Sequence, residues 1–201
     1  MVQIKTIFVI LTIIVAMTSG CLKSNELSNE PKVINLYPEQ VILNDGEIKE
    51  ILGNEWERYS NLGYGNGENY QYVETVYDKK PYSMKPKQLS RYESFMGPFA
   101  IFLLVFNNTN AAEEFYSDHE RSDMMDYKGN KINVGDIGSA YSIKTDEPTG
   151  KIITKITFRK NNIISIMYLD SERSESLNMD TAINLAKKQE EKISKALEMM
   201  K

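Results

Sequence analysis

The chain spends one cysteine, Cys21, one histidine, His119, and one tryptophan, Trp56, in 201 residues. A lone thiol closes no internal disulfide, so stability must come from packing rather than from cross-links. No GxSxG, HExxH, Walker or dinucleotide-binding pattern occurs, which leaves enzyme chemistry without a motif to rest on. Basic side chains do not predominate: 24 Lys and Arg stand against 28 Asp and Glu, a net charge of -4. That balance argues against nucleic acid as a partner, since a basic face would be its footprint. Nor does any apolar run reach the roughly twenty residues that a spanning helix needs.

What is present begins with a shorter apolar run. Ile7 to Met17 is broken only by Thr12, follows the basic Lys5, and has the length of a signal-peptide core. Behind it come Thr18, Ser19, Gly20 and Cys21. This cluster resembles a lipoprotein box, in which small residues fit the peptidase and the thiol after the cut is acylated; Thr18 stands where leucine is common. The expectation is a signal peptide over residues 1–20 and a lipid anchor on Cys21, placing the protein on the extracytoplasmic side of the cell membrane. Acyl chains contribute about 0.8 kcal/mol per buried methylene, and a diacylglyceryl group supplies the two chains that stable attachment takes.

Residues 21–35 are polar, aperiodic and include Pro31, so they read as a tether with an r.m.s. span of roughly 20 Å. Residues 36–201 are enough for one well-filled core and read as a single domain. Asn44 or Asp45 can cap a short helix that Gly53 ends. Glu55–Tyr59, Tyr70–Tyr77, Arg91–Met96 and Phe99–Phe106 read as strands. Between the first two, Gly63, Gly65 and Gly67 predict a mobile hairpin loop. Asn108 or Thr109 can start a helix reaching about Met125, with Ala111, Ala112, Phe115 and Tyr116 or His119 inward. Lys131–Val134, Ala140–Lys144, Lys151–Lys160 and Ile163–Leu169 follow as strands, the last two joined by Asn161-Asn162 as a two-residue turn. Asp180 then caps a long helix whose inner face carries Ala182, Leu185, Ala186, Gln189, Ile193, Ala196 and Leu197. The expected class is α+β: an antiparallel sheet of about seven strands packed with three helices.

The helix ending at Gly53 before Trp56, the segment VGDIGSAY (Val134 to Tyr141), the hairpin ITKITFRKNNIISIMYL and the closing helix TAINLAKKQEEKI together resemble small extracytoplasmic lipoprotein domains of prokaryotes, archaeal ones included. Those domains are similar in architecture to the Mog1/PsbP-like and mycobacterial kinase-sensor families. The resemblance covers roughly residues 38–200 and implies a layered sandwich with a binding or sensing role and no enzymatic activity.

Several side-chain groups are candidates for that role. Tyr59, Tyr64, Asn66, Asn69, Tyr70 and Tyr72 combine flat amphipathic rings with amides beside flexible glycines, a composition suited to ligand recognition. His119, Asp123 and Asp126 share a helix face and could meet a cation, although two or three donors make an incomplete shell. Lysines among residues 79–87 form a local basic connector. Asn107 opens a glycosylation sequon, Asn107-Asn108-Thr109. VGDIG precedes a strand, not a helix, and so lacks the helix terminus of a phosphate cradle. The expected function is a membrane-tethered binding or sensing domain for a small cell-surface ligand or a partner protein, with no cofactor. The alternatives are an accessory subunit docking on a membrane complex and a carboxylate-using hydrolase.

Overall fold

Successive side chains of a strand point to opposite faces, and a computed structural model shows where the two faces go. It describes residues 35–80, 98–126, 129–144, 152–170 and 177–200. Among these residues lie seven strands, β1 (Trp56–Asn66), β2 (Tyr70–Lys79), β3 (Phe99–Phe106), β4 (Asn130–Ile132), β5 (Ile137–Lys144), β6 (Ile152–Lys160) and β7 (Ile163–Asp170). They make one sheet in the order β1-β2-β3-β7-β6-β5-β4, with every neighbouring pair antiparallel. The helices are α1 (Pro38–Val41), α2 (Asp45–Leu52), α3 (Thr109–Asp126) and α4 (Met179–Met199). The α+β class and the strand count match the expectation; the single turn α1 is an addition to the three helices.

Period-2 geometry sorts the core into two clusters. On one face Val73, Tyr77, Phe99, Ile101, Leu103, Val105, Ile156, Phe158, Met167 and Leu169 pack with Val41, Ile48, Leu52 and the inner stripe of α4. On the other, Leu104, Phe106, Ile164 and Ile166 pack with Ala112 and Tyr116 of α3. β3 is thus buried on both sides, which is why FAIFLLVF shows no alternation.

Helix starts follow capping chemistry. Asn44 Oδ1 accepts from Glu47 N–H at 3.0 Å while Glu47 Oε2 accepts from Asn44 N–H at 2.7 Å, a reciprocal capping box. Asn108 Oδ1 accepts from Ala111 N–H at 2.8 Å and starts α3. For α4 the expected cap is displaced: Asn178, not Asp180, accepts from Thr181 N–H at 3.0 Å. Asp180 lies in the first turn instead, where its charge complements the helix dipole.

Two further expectations change. Most of the glycine stretch is strand, because β1 continues through Asn66 and pairs Gly63, Gly65 and Asn66 with Glu74, Tyr72 and Gln71; the hairpin turn is confined to residues 67–69, where Gly67 N–H donates to Tyr70 O at 2.8 Å. Tyr72 and Tyr70 supply the reason: a Cβ on Gly65 would run into the Tyr72 ring, and one on Gly67 into the Tyr70 ring, so each glycine makes room for a cross-strand tyrosine. VGDIG is structural in a different way. Gly135 takes φ 74° where an added Cβ would run into the Arg159 carbonyl, and Asp136 Oδ2 accepts from Asn161 N–H at 2.6 Å, bracing the β6–β7 turn. In that turn Asn161 is left-handed at φ 56°, while Asn162 is buried and donates its amide to Phe106 O at 2.7 Å.

The expected signal peptide, Cys21, most of the expected tether, the strand expected at 91–96 and residues 81–87 of the basic connector lie outside the described residues.

Candidate functional site

Strand alternation divides the tyrosine set. Register shifts fall between Arg58 and Ser60 and between Asn61 and Gly63, and each adds a residue to β1. Tyr59 sits in the first shift. Beyond the second, Tyr64 and Asn66 pair with Val73 and Gln71, on the α1 and α2 side of the sheet, whereas Tyr70 and Tyr72 point to the α3 side. Tyr70 is half-buried against the α3-side cluster, its ring 5.0 Å from Phe106 and 5.8 Å from Phe115. Asn69 is exposed, and its carbonyl accepts from Asn107 N–H at 2.9 Å.

Three of the six expected residues come together. Tyr64, Asn66 and Tyr72 line a groove of about 290 Å³ with Tyr37, Glu39 and Gln71, which passes over the β1 edge where Gly65 has no side chain. Tyr37 is 65% exposed and Tyr64 63% exposed. A neighbouring hollow of about 240 Å³ shares Glu39 and Tyr64 and is lined further by Asn44, Arg58 and Lys192. Those cations are engaged. Arg58 Nε donates to Asp45 Oδ1 at 2.9 Å, and Lys192 Nζ donates to Glu47 Oε2 at 2.6 Å.

The groove's floor is held rigidly. Gln189 of α4 is fully buried; its Oε1 accepts from Leu43 N–H at 3.0 Å and its Nε2 donates to Val41 O at 2.8 Å. Tyr77 OH donates to Leu43 O at 3.2 Å. The turn carrying Tyr37 and Glu39 is therefore fastened to both the closing helix and the sheet. Next to Tyr72 on β2, and on the same face, Glu74 is 7% exposed, and burial pushes its carboxyl up to about 7. Among the described residues Glu74 Oε1 takes no hydrogen bond.

Of the expected cation set, only the His119 side chain lies among the described residues. His119 stacks on Phe115, ring centroids 5.9 Å apart, as one more member of the aromatic packing. The side chains of Asp123 and Asp126 lie outside the described residues, and no group of three metal-ligating side chains forms among the described residues. Asn107 is exposed between β3 and α3.

A third hollow carries chemistry that the motifs did not signal. Between α3 and β5 lies a cleft of about 550 Å³, lined by Tyr116, Glu120, Arg121, Lys131, Ile137, Ser139 and Tyr141 among others. Glu120 is 8% exposed, and Ser139 Oγ and Tyr141 OH each donate to one of its oxygens at 2.5 Å. The residues Tyr116 and Glu120 recur at i, i+4, and Ser139 and Tyr141 at i, i+2, so each pair shares a face. Which helix faces which strand is a long-range fact that no local spacing carries.

No known family profile and no curated protein matches the chain. Its function rests on these surfaces.

Proposed function

We propose that this is a lipid-anchored extracytoplasmic binding domain that holds a cell-surface ligand or a partner protein in the tyrosine groove and performs no reaction on it. One observation carries the reading: two large aromatic side chains, Tyr37 and Tyr64, stand more than half exposed on one concave surface. An aromatic ring left in water forgoes roughly 1.5–3 kcal/mol of burial. Two such rings facing one groove, beside Asn66, Gln71 and Glu39 as hydrogen-bonding groups, make a surface complementary to a ligand with a flat apolar face and polar edges. The anchor is supported by the apolar run Ile7–Met17 followed by Ser19, Gly20 and Cys21.

Two measurements test this. Mass spectrometry of protein isolated from its host membranes should find an acylated Cys21 at the N-terminus, and Cys21→Ser should move the protein to the aqueous phase; an unmodified thiol refutes the anchor. Crosslinking in native membranes should capture a bound component, with the double variant Tyr37→Ala/Tyr64→Ala lowering recovery at least tenfold while the melting temperature stays within about 2 °C. Equal recovery from the variant removes the groove. Capture of one stoichiometric membrane complex independent of the groove points to an accessory subunit instead.

A further inference from the structure

The α3–β5 cleft shares no lining residue with the tyrosine groove. Gaps left by imperfect packing between a helix and a sheet are apolar, and they stay dry. This one has a carboxylate in its wall. Withdrawing a charge from water is costly unless hydrogen bonds or an opposite charge compensate it. Glu120 has the first kind of compensation, from Ser139 and Tyr141, each at 2.5 Å, the length of a charge-assisted O–H to carboxylate bond. The second kind is missing: among the described residues no cation forms an ion pair with it. A carboxylate offers about four acceptor sites, and the two hydroxyls occupy two of them. The remainder fit the N–H donors of an ammonium group.

The rim has the opposite sign. Lys131 pairs with Ser139 in the β4–β5 register, and so lies on the same face of the sheet as the hydroxyl that touches Glu120. Arg121 follows Glu120 on α3; among the described residues its ion pair is a loose 3.5 Å contact to Asp118 in which both side chains are mostly in water. The apolar wall is supplied by Ile137, 43% exposed, and by the rings of Tyr116 and Tyr141. A bare amine would meet repulsion from the two rim cations, and a bare acid would meet repulsion from Glu120. We propose that the cleft binds a small zwitterion of the α-amino acid class, with its ammonium on Glu120, its carboxylate at Arg121 and Lys131, and its hydrocarbon part against Ile137 and the tyrosines. The volume of about 550 Å³ lies within the range of small-molecule sites.

The test uses isothermal titration calorimetry on the detergent-solubilised full chain. The probes are L-leucine and L-phenylalanine, with phenethylamine and 3-phenylpropanoate as the amine-only and acid-only counterparts of phenylalanine. At least one amino acid should bind, and L-phenylalanine should bind at least tenfold more tightly than either counterpart. Glu120→Gln preserves size but removes the charge and turns one acceptor oxygen into an amide donor, and should cost at least tenfold for the amino acid while leaving 3-phenylpropanoate no weaker. Ile137→Trp, at the exposed mouth, should block the cleft with an unchanged melting temperature, which keeps the test valid if the Glu120 variant does not fold. Failure of both amino acids to bind overturns the proposal. So does equal affinity for all phenyl probes, or amino-acid binding that survives Ile137→Trp.

Discussion

Single residues decide how firmly the groove is built. Gln189 makes two hydrogen bonds to backbone that no water reaches, so removing its amide strands a donor and an acceptor together. Gln189→Leu should therefore cost about 2–4 kcal/mol in urea denaturation, whereas a surface change such as Lys187→Gln should cost under ~0.5 kcal/mol. Glu74 makes a prediction of the opposite kind. Burial raises its carboxyl to about 7 in the folded chain, against 4.5 for a glutamate in water, so folding takes up a proton between those values. The sign follows directly: the native state binds more protons than the unfolded one, and stability falls as pH rises from about 4.5 through 7, then levels off. Glu74→Gln should flatten that decline in a series of thermal melts at stepped pH. A decline of unchanged slope would show that the charge is relieved elsewhere. Tyr70, by contrast, belongs to folding: alanine there opens the Phe106 and Phe115 cluster.

At the scale of elements, the parts governed by neighbours in sequence were legible. The stripe of α4, the caps at Asn44 and Asn108, and the two-residue β6–β7 turn all follow from spacing and from the hydrogen-bonding reach of short polar side chains. The glycine-rich end of β1 was not, because glycine in isolation argues for a loop and only the cross-strand ring of Tyr72 or Tyr70 reverses the argument. The same limit split the tyrosine set, since the register shifts in β1 turn Tyr64 away from Tyr70. The two kinds of glycine should respond differently to mutation. At Gly135 an added methyl meets the Arg159 carbonyl and a left-handed backbone, and Gly135→Ala should cost about 1–3 kcal/mol. At Gly65 the obstacle is the outer end of the Tyr72 ring, which can swing aside. Gly65→Ala should cost under ~1 kcal/mol but alter the near-ultraviolet circular dichroism, and comparable destabilisation by the two variants would contradict this account.

At the scale of the whole molecule, the class and layering followed from counting amphipathic segments, while the placing of the hollows did not. The sheet is two meanders, β1-β2-β3 and β4-β5-β6-β7, that meet only where β3 lies beside β7. That join unites Phe99 with Leu169 and Val105 with Ile163, partners about sixty residues apart or more, and closing so long a stretch of chain is slow. During synthesis β3 is complete well before β7 exists. For that interval FAIFLLVF, apolar on both sides and free of charge or proline, has no partner along one margin. The birth of this protein thus passes through a stage in which an adhesive segment stands unguarded, and a chaperone that shields it until the C-terminal half emerges would lower the risk of aggregation in that interval.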